Sequence, residues 1–118
     1  MLAPLLSTRT DPHRHLVRVA VAGPLTTADH GRALRAACAA APPAYGVVVT
    51  LSSVTLLSEA GIDALRCIAR DGTARGTPLV FVCSELMLRS ELVLADLDTL
   101  APIVHADEQA VPLASDAA

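Results

Sequence analysis

Val47-Val-Val-Thr-Leu-Ser-Ser-Val-Thr-Leu-Leu-Ser-Glu-Ala-Gly-Ile-Asp-Ala-Leu-Arg66 decides how the rest of the chain is read. Three consecutive β-branched valines open it and predict a buried strand. Ser52, Ser53 and Thr55 interrupt the apolar run and predict a tight turn. From Ser58 the apolar spacing becomes helical, with Ile62, Leu65, Ile68 and Ala69 on one face. Ser58 suits the N-cap, because its hydroxyl can accept from an orphan N–H of the first turn. Strand, turn and helix therefore bring Ser58, Glu59 and Ala60 to the positive end of a helix dipole, the first place to look for function.

Toward the N-terminus, Leu5 to Thr10 is expected as an edge strand and Asp11-Pro12-His13 as a turn. Leu16 to Ala22 alternates as a second strand with Arg18 facing out, so the two form a hairpin. Gly23 to Thr27 ends that strand. Thr26-x-x-Asp29 is a weak capping box for a helix reaching about Ala41, with Leu34, Ala37, Cys38 and Ala41 inward and Arg32 and Arg35 outward. Pro42-Pro43 stops it.

Toward the C-terminus, Asp63, Arg66 and Arg70 lie off the apolar stripe, and Asp63 and Arg66 are spaced to pair. Gly72 to Pro78 is expected as a loop, and Leu79 to Cys83 as another buried strand. Ser84 to Ala95 predicts a third helix capped by Ser84. Leu88, Leu92 and Ala95 share one of its faces, Met87 and Leu94 another. A helix apolar nearly all round needs a second cover or presents a partner site. Strands alternating with helices make this an α/β chain.

Composition bounds the function. At 118 residues one domain is expected. Much of the hydrophobic share of 53% is alanine, and no apolar run approaches the ~20 residues of a membrane span. Met1 to Leu6 lacks the basic start of a signal peptide, so a cytoplasmic protein without membrane insertion is expected. A net charge of −3 with no basic cluster argues against a nucleic-acid partner. All nine basic residues are arginine, which with the alanine excess suggests a GC-rich bacterial genome. Cys38, Cys67 and Cys83 show no C-x-x-C spacing and read as small structural residues.

Enzyme signatures are missing from the sequence. It contains no G-x-S-x-G, no P-loop and no glycine-rich dinucleotide turn. His13-x-His15 offers two imidazoles but no third ligand, and His30 and His105 have no evident partner. No catalytic, cofactor or metal-binding residue is expected.

Val49-Thr-Leu-Ser-Ser-Val-Thr-Leu-Leu-Ser-Glu-Ala-Gly-Ile62, with Leu65, resembles the central signature of STAS domains, the fold of bacterial anti-sigma factor antagonists: V-D-L-S-G-V-x-F-L-D-S-S-G-L-x-x-L. Gly23-Pro-Leu25 is similar to that family's G-E-L-D turn. Leu97-Asp-x-Leu100 and Pro102-Ile-Val104 resemble its G-L-D-x-L and last strand, with Asp96 where glycine is common. Asp107 to Val111 looks like its short acidic closing helix. The resemblance implies a single STAS-like α/β domain over 1–111, with a mixed four- to five-stranded sheet and three to four helices. Residues 112–118 are expected as a short flexible tail.

In that family the second serine of D-S-S-G accepts phosphate from a kinase-like anti-sigma factor. Here it corresponds to Ala60, which has no hydroxyl, so no phosphorylation is expected there. Glu59 stands for the first serine and Ser58 for the preceding Asp; Thr50 and Thr26 replace two further acids. Glu59 reads either as an imitation of phosphate charge or as a first-turn acid favoured by the helix dipole. The resemblance implies a non-enzymatic module that binds an anti-sigma factor, without the serine switch, and releases a sigma factor to regulate transcription. Its partner surface would be Ser58, Glu59, Ala60, Gly61 and Asp63 with Gly23, Leu25 and Thr26, extended by exposed residues of the second and third helices. Two other roles remain open: an accessory STAS subunit of a lipid-transport ATPase, and a silent subunit of a larger STAS assembly.

Overall fold

Leu5–Asp11 (β1) and Leu16–Leu25 (β2) form the expected antiparallel hairpin in a computed structural model that describes residues 5–115. The Asp11 carboxylate closes the turn by accepting from the N–H groups of His13 (3.1 Å) and Arg14 (3.3 Å). Gly46–Leu57 (β3), Leu79–Val82 (β4) and Ile103–Val104 (β5) continue the sheet in parallel, in the order β1-β2-β3-β4-β5. The crossovers carry Ala28–Ala39 (α1), Glu59–Arg75 (α2) and Leu86–Leu94 (α3); Asp107–Ser115 (α4) closes the chain.

Each central strand is buried on both sides, which explains its unbroken apolar run. Val17, Val19, Val47, Val49 and Phe81 face Leu34, Leu65 and Leu92 of α1, α2 and α3. The alternate residues Leu16, Val48, Val80 and Val82 face Ala110 and Ala114 of α4. No helix among the described residues is long and apolar enough to cross a membrane.

Several boundaries differ from the expectations. β3 does not turn at Ser52 and Ser53 but runs to Leu57. Two bulges, each with an extra β3 residue opposite β2, absorb the polar residues and keep Val54 buried. Gly23, at φ +95, shapes the β2 side of this irregular stretch, and β2 itself reaches Leu25. Thr27 rather than Thr26 caps α1, accepting from the His30 N–H. Gly72 lies inside α2, not in a loop. The Thr77 N–H donates to its carbonyl (2.8 Å), and Gly76 in the left-handed region ends the helix. Ser84 does not cap α3; its N–H donates to the Ser52 hydroxyl, and Glu85 takes the cap position without a side-chain bond. Asp96 has φ +61, the conformation that suits glycine and that Asp tolerates better than most residues.

The expected flexible tail is also corrected. Residues 112–115 continue α4 because Ala114 is fully buried against the sheet; a methyl on Gly46 would meet its carbonyl at 2.0 Å. Residues 116–118 of that tail lie outside the described residues. Arg18 faces α4, where it forms a two-pronged ion pair with Asp107 (3.0 and 3.2 Å).

The three cysteines are free, and Cys38 and Cys83 are buried. Burial pushes the Cys38 thiol up to about 12, against an ordinary 9.0. Between those two values the unfolded chain loses this proton and the folded one keeps it, so stability falls as pH rises from 9.0 toward 12. Cys38→Ala is expected to flatten that alkaline loss relative to wild type, as read by urea melts across the range.

Candidate functional site

Two chain crossings meet at one point. β2 delivers Leu25, Thr26 and Thr27 to the start of α1, and β3 delivers Leu57 and Ser58 to the start of α2. Ser58 is the N-cap of α2, as its position predicted: its hydroxyl accepts from the Gly61 N–H (3.4 Å). The same hydroxyl donates to the Thr26 carbonyl at 2.8 Å. The Thr26 N–H in turn donates to Nδ1 of His30 (3.2 Å), an imidazole only 7% exposed. Thr26 is therefore held from both sides. This gives His30 a structural role that the sequence did not disclose. Ser58→Ala removes a cap and a cross-chain hydrogen bond together, and an unfolding free energy lower by about 1–2 kcal/mol is expected in denaturant melts.

Gly61 is buried. Its missing methyl makes room for this chain's own backbone, since a Cβ there would lie 2.2 Å from the Leu25 carbonyl oxygen. Leu25 is itself fully buried, so its side chain offers no partner surface. Gly23 and Thr26 are half-buried.

Glu59 and Ala60, neighbours in sequence, open onto different depressions, because successive helical residues are rotated by about 100°. Ala60 is half-buried rather than exposed. It lies in a shallow groove of about 180 Å³ between α1 and α2, with Ala28, Gly31, Ala64 and Cys67 and with Arg32 and Arg35 at the rim. The helices approach closely where Gly31 meets Ala64; a methyl on Gly31 would sit 2.7 Å from the Ala64 Cβ. Arg35 braces them through a two-pronged contact to Asp71 (2.6 and 3.0 Å), whose hydrogen bond holds the Asp71 carboxyl below its ordinary value. Both groups are near the surface, so solvent screens the pair.

Glu59 instead lines a larger cleft of about 530 Å³ between α2 and α3, with Leu57, Ile62, Arg66, Glu91 and Leu94. Asp63 borders both depressions. It pairs with Arg66 at 3.0 Å, as the spacing predicted, and Arg66 also donates to the Ala95 carbonyl (3.0 Å). Glu59 makes no ion pair among the described residues. The expected apolar surface of α3 is present: Leu86, Met87, Val93 and Leu94 are exposed, and Leu56 at the end of β3 joins them. Among the described residues no cluster of three or more His, Cys, Asp or Glu is placed to hold a metal ion. His15 packs edge-on against Tyr45.

No family model and no curated protein sequence is similar enough to this chain to match it. Solved structures are similar over nearly its whole length. An anti-sigma factor antagonist from Mycobacterium paratuberculosis shares 24% identity at a TM-score of 0.72, covering 93% of this chain and 94% of that one. The anti-sigma factor antagonist SpoIIAA in its unphosphorylated form shares 14% at 0.63, covering 91% and 92%. An uncharacterized protein with a SpoIIAA-like fold from Shewanella loihica shares 10% at 0.59, covering 97% and 95%. This chain therefore has the SpoIIAA-like, STAS-like fold of anti-sigma factor antagonists, as one α/β domain with a five-stranded mixed sheet and four helices.

Proposed function

We propose that this protein is a non-enzymatic regulatory module of the anti-sigma factor antagonist kind. It binds a kinase-like anti-sigma factor in the cytoplasm, through the start of α2 and the groove beside it, and so releases a sigma factor. It does this without serine phosphorylation. The observation that carries this reading is Ala60. A residue without a hydroxyl occupies the family's acceptor position, set in a small-residue groove on a rigid helix start. The nearby Ser58 hydroxyl is engaged twice, by the Thr26 carbonyl and the Gly61 N–H. Rigid positions lose little entropy on binding, which suits them to recognition. Glu59 acts as a first-turn acid stabilised by the helix dipole.

Ala60→Asp puts a charge into the middle of that groove, where a partner would have to desolvate it. The side chain still reaches water from the open rim, so the melting temperature is expected to stay nearly unchanged. Affinity for the partner recovered by pull-down from the native host is expected to fall tenfold or more, about 1.4 kcal/mol, by calorimetry. Arg9→Ala, on the exposed edge strand β1 and outside the groove, is the control and leaves affinity within twofold. Incubation of wild type with ATP and that partner leaves its intact mass unchanged. Equal binding by Ala60→Asp would remove this surface from the reading. A phosphate mapped to Ser58 would show a displaced switch. Recovery of a transporter ATPase would favour the accessory-subunit role.

A further inference from the structure

Among the described residues the late part of β3 has one neighbour in the sheet. On one side it pairs with β2 as far as Leu57. On the other, pairing with β4 ends at Thr50, opposite Val82. The chain then leaves the sheet through Ser84, whose N–H donates to the Ser52 hydroxyl. From Ser53 to Leu57 the β4-side edge has no strand partner among the described residues, although the strand sits in the middle of the sheet order.

A cleft of about 200 Å³ runs along this edge. One wall is Val54 to Leu57; the other is the first part of α3, with Glu85, Met87 and Glu91. Successive side chains of a strand point to opposite faces, so a cleft lined by four consecutive residues follows the strand's edge and not one of its faces. Leu56 and Met87 are 63% and 76% exposed at its mouth. The cleft shares Leu57 and Glu91 with the larger depression between α2 and α3, so the two run together.

The charge is one-sided. Among the described residues the only ionisable groups lining the β3 cleft are Glu85 and Glu91, and neither makes an ion pair. The adjoining depression adds Glu59 and Asp63 against a single cation, Arg66, which Asp63 and the Ala95 carbonyl already hold.

We infer that the free edge of β3 is a docking strand for an extended, arginine- or lysine-bearing segment of a partner protein. The segment adds beside Ser53–Leu57 through main-chain hydrogen bonds, sets alternate apolar side chains against Leu57 and Met87, and turns its cations to Glu85 and Glu91. At ~3.3 Å per residue the free edge accommodates about five residues. This goes beyond the proposed function: the docking strand lies on the α3 side of the α2 start, away from the α1–α2 groove, and Ala60 takes no part in it.

A displayed library of random decapeptides, selected on the full chain, tests it. Enriched peptides are expected to alternate apolar residues with Arg or Lys, and to shift the amide resonances of Ser53–Leu57 and Met87–Glu91. N-methylation of alternate peptide nitrogens is expected to weaken them at least tenfold. The double substitution Glu85→Lys with Glu91→Lys, at two exposed sites, has the same effect, whereas Ala60→Asp leaves their binding unchanged. The inference is overturned by a failure of any peptide to enrich. It is equally overturned by peptides without cations, by peptides that bind as helices, or by shifts confined to the α1–α2 groove.

Discussion

Gly61→Ala is expected to lower the unfolding free energy by about 3 kcal/mol, the upper part of the range for overpacking a rigid site. The added methyl would meet the Leu25 carbonyl oxygen at 2.2 Å and the Leu57 Cδ1 at 2.8 Å. The first contact is backbone, at the end of β2 where the chain is fixed by Thr26, so relief requires α2 to move off the sheet. The melting temperature should fall by about 10 °C or more. Because the same shift displaces Ser58 and Ala60, affinity at the proposed partner surface should fall as well. Gly31→Ala is the informative contrast. Its nearest neighbour is one methyl, the Ala64 Cβ at 2.7 Å, and two helix surfaces can separate slightly to admit it. A smaller loss is expected there. Equal stability of Gly61→Ala and wild type in thermal and urea melts would mean that the helix start is not locked by that carbonyl.

Phe81→Ala is expected to cost about 3–5 kcal/mol, the range for emptying a buried aromatic site. Phe81 is the chain's one phenylalanine, fully buried on β4 in the helix-covered core. It is held by strands on both sides, through the Val49 and Ile103 registers. Backbone paired on two sides collapses poorly around a void, which puts the cost high in that range. Phe81→Leu should cost about 1 kcal/mol, because most of the volume remains. Urea unfolding should show a lower midpoint with an unchanged slope. A loss below 1 kcal/mol for the alanine variant would mean that the helices close over the gap.

The sequence disclosed those elements whose signals are local. Alternation from Leu16 to Ala22 and the Asp11-Pro12 turn marked the hairpin, and the switch to helical spacing at Ser58 marked the cap of α2. What it hid depends on distant chain. Ser52 and Ser53 look like turn residues until β2 supplies a partner with which they can bulge. Gly72 looks like a breaker until its carbonyl is seen to accept the Thr77 N–H at a helix end. Ala114 looks like tail until Gly46 gives it a place to pack. At the candidate site, Ser58 and the groove residue Ala60 were visible as residues, but their partners were not. His30 carried no signal that it meets Thr26. The separation of Glu59 from Ala60 into different depressions needed α1 and α3 in position. Gly61 was visible through the resemblance, but its close approach to the Leu25 carbonyl of the same chain was not.

The hold on Thr26 also bears on how such a module is controlled. Thr27 and His30 are three residues apart and can close early, but the Ser58 hydroxyl reaches Thr26 across 32 residues. That closure waits until β2 and β3 have paired, because long loops are closed late in folding. The groove beside Ala60 thus comes into being only with the finished molecule. Lacking an acceptor hydroxyl at Ala60, the proposed module has no covalent off state at that position.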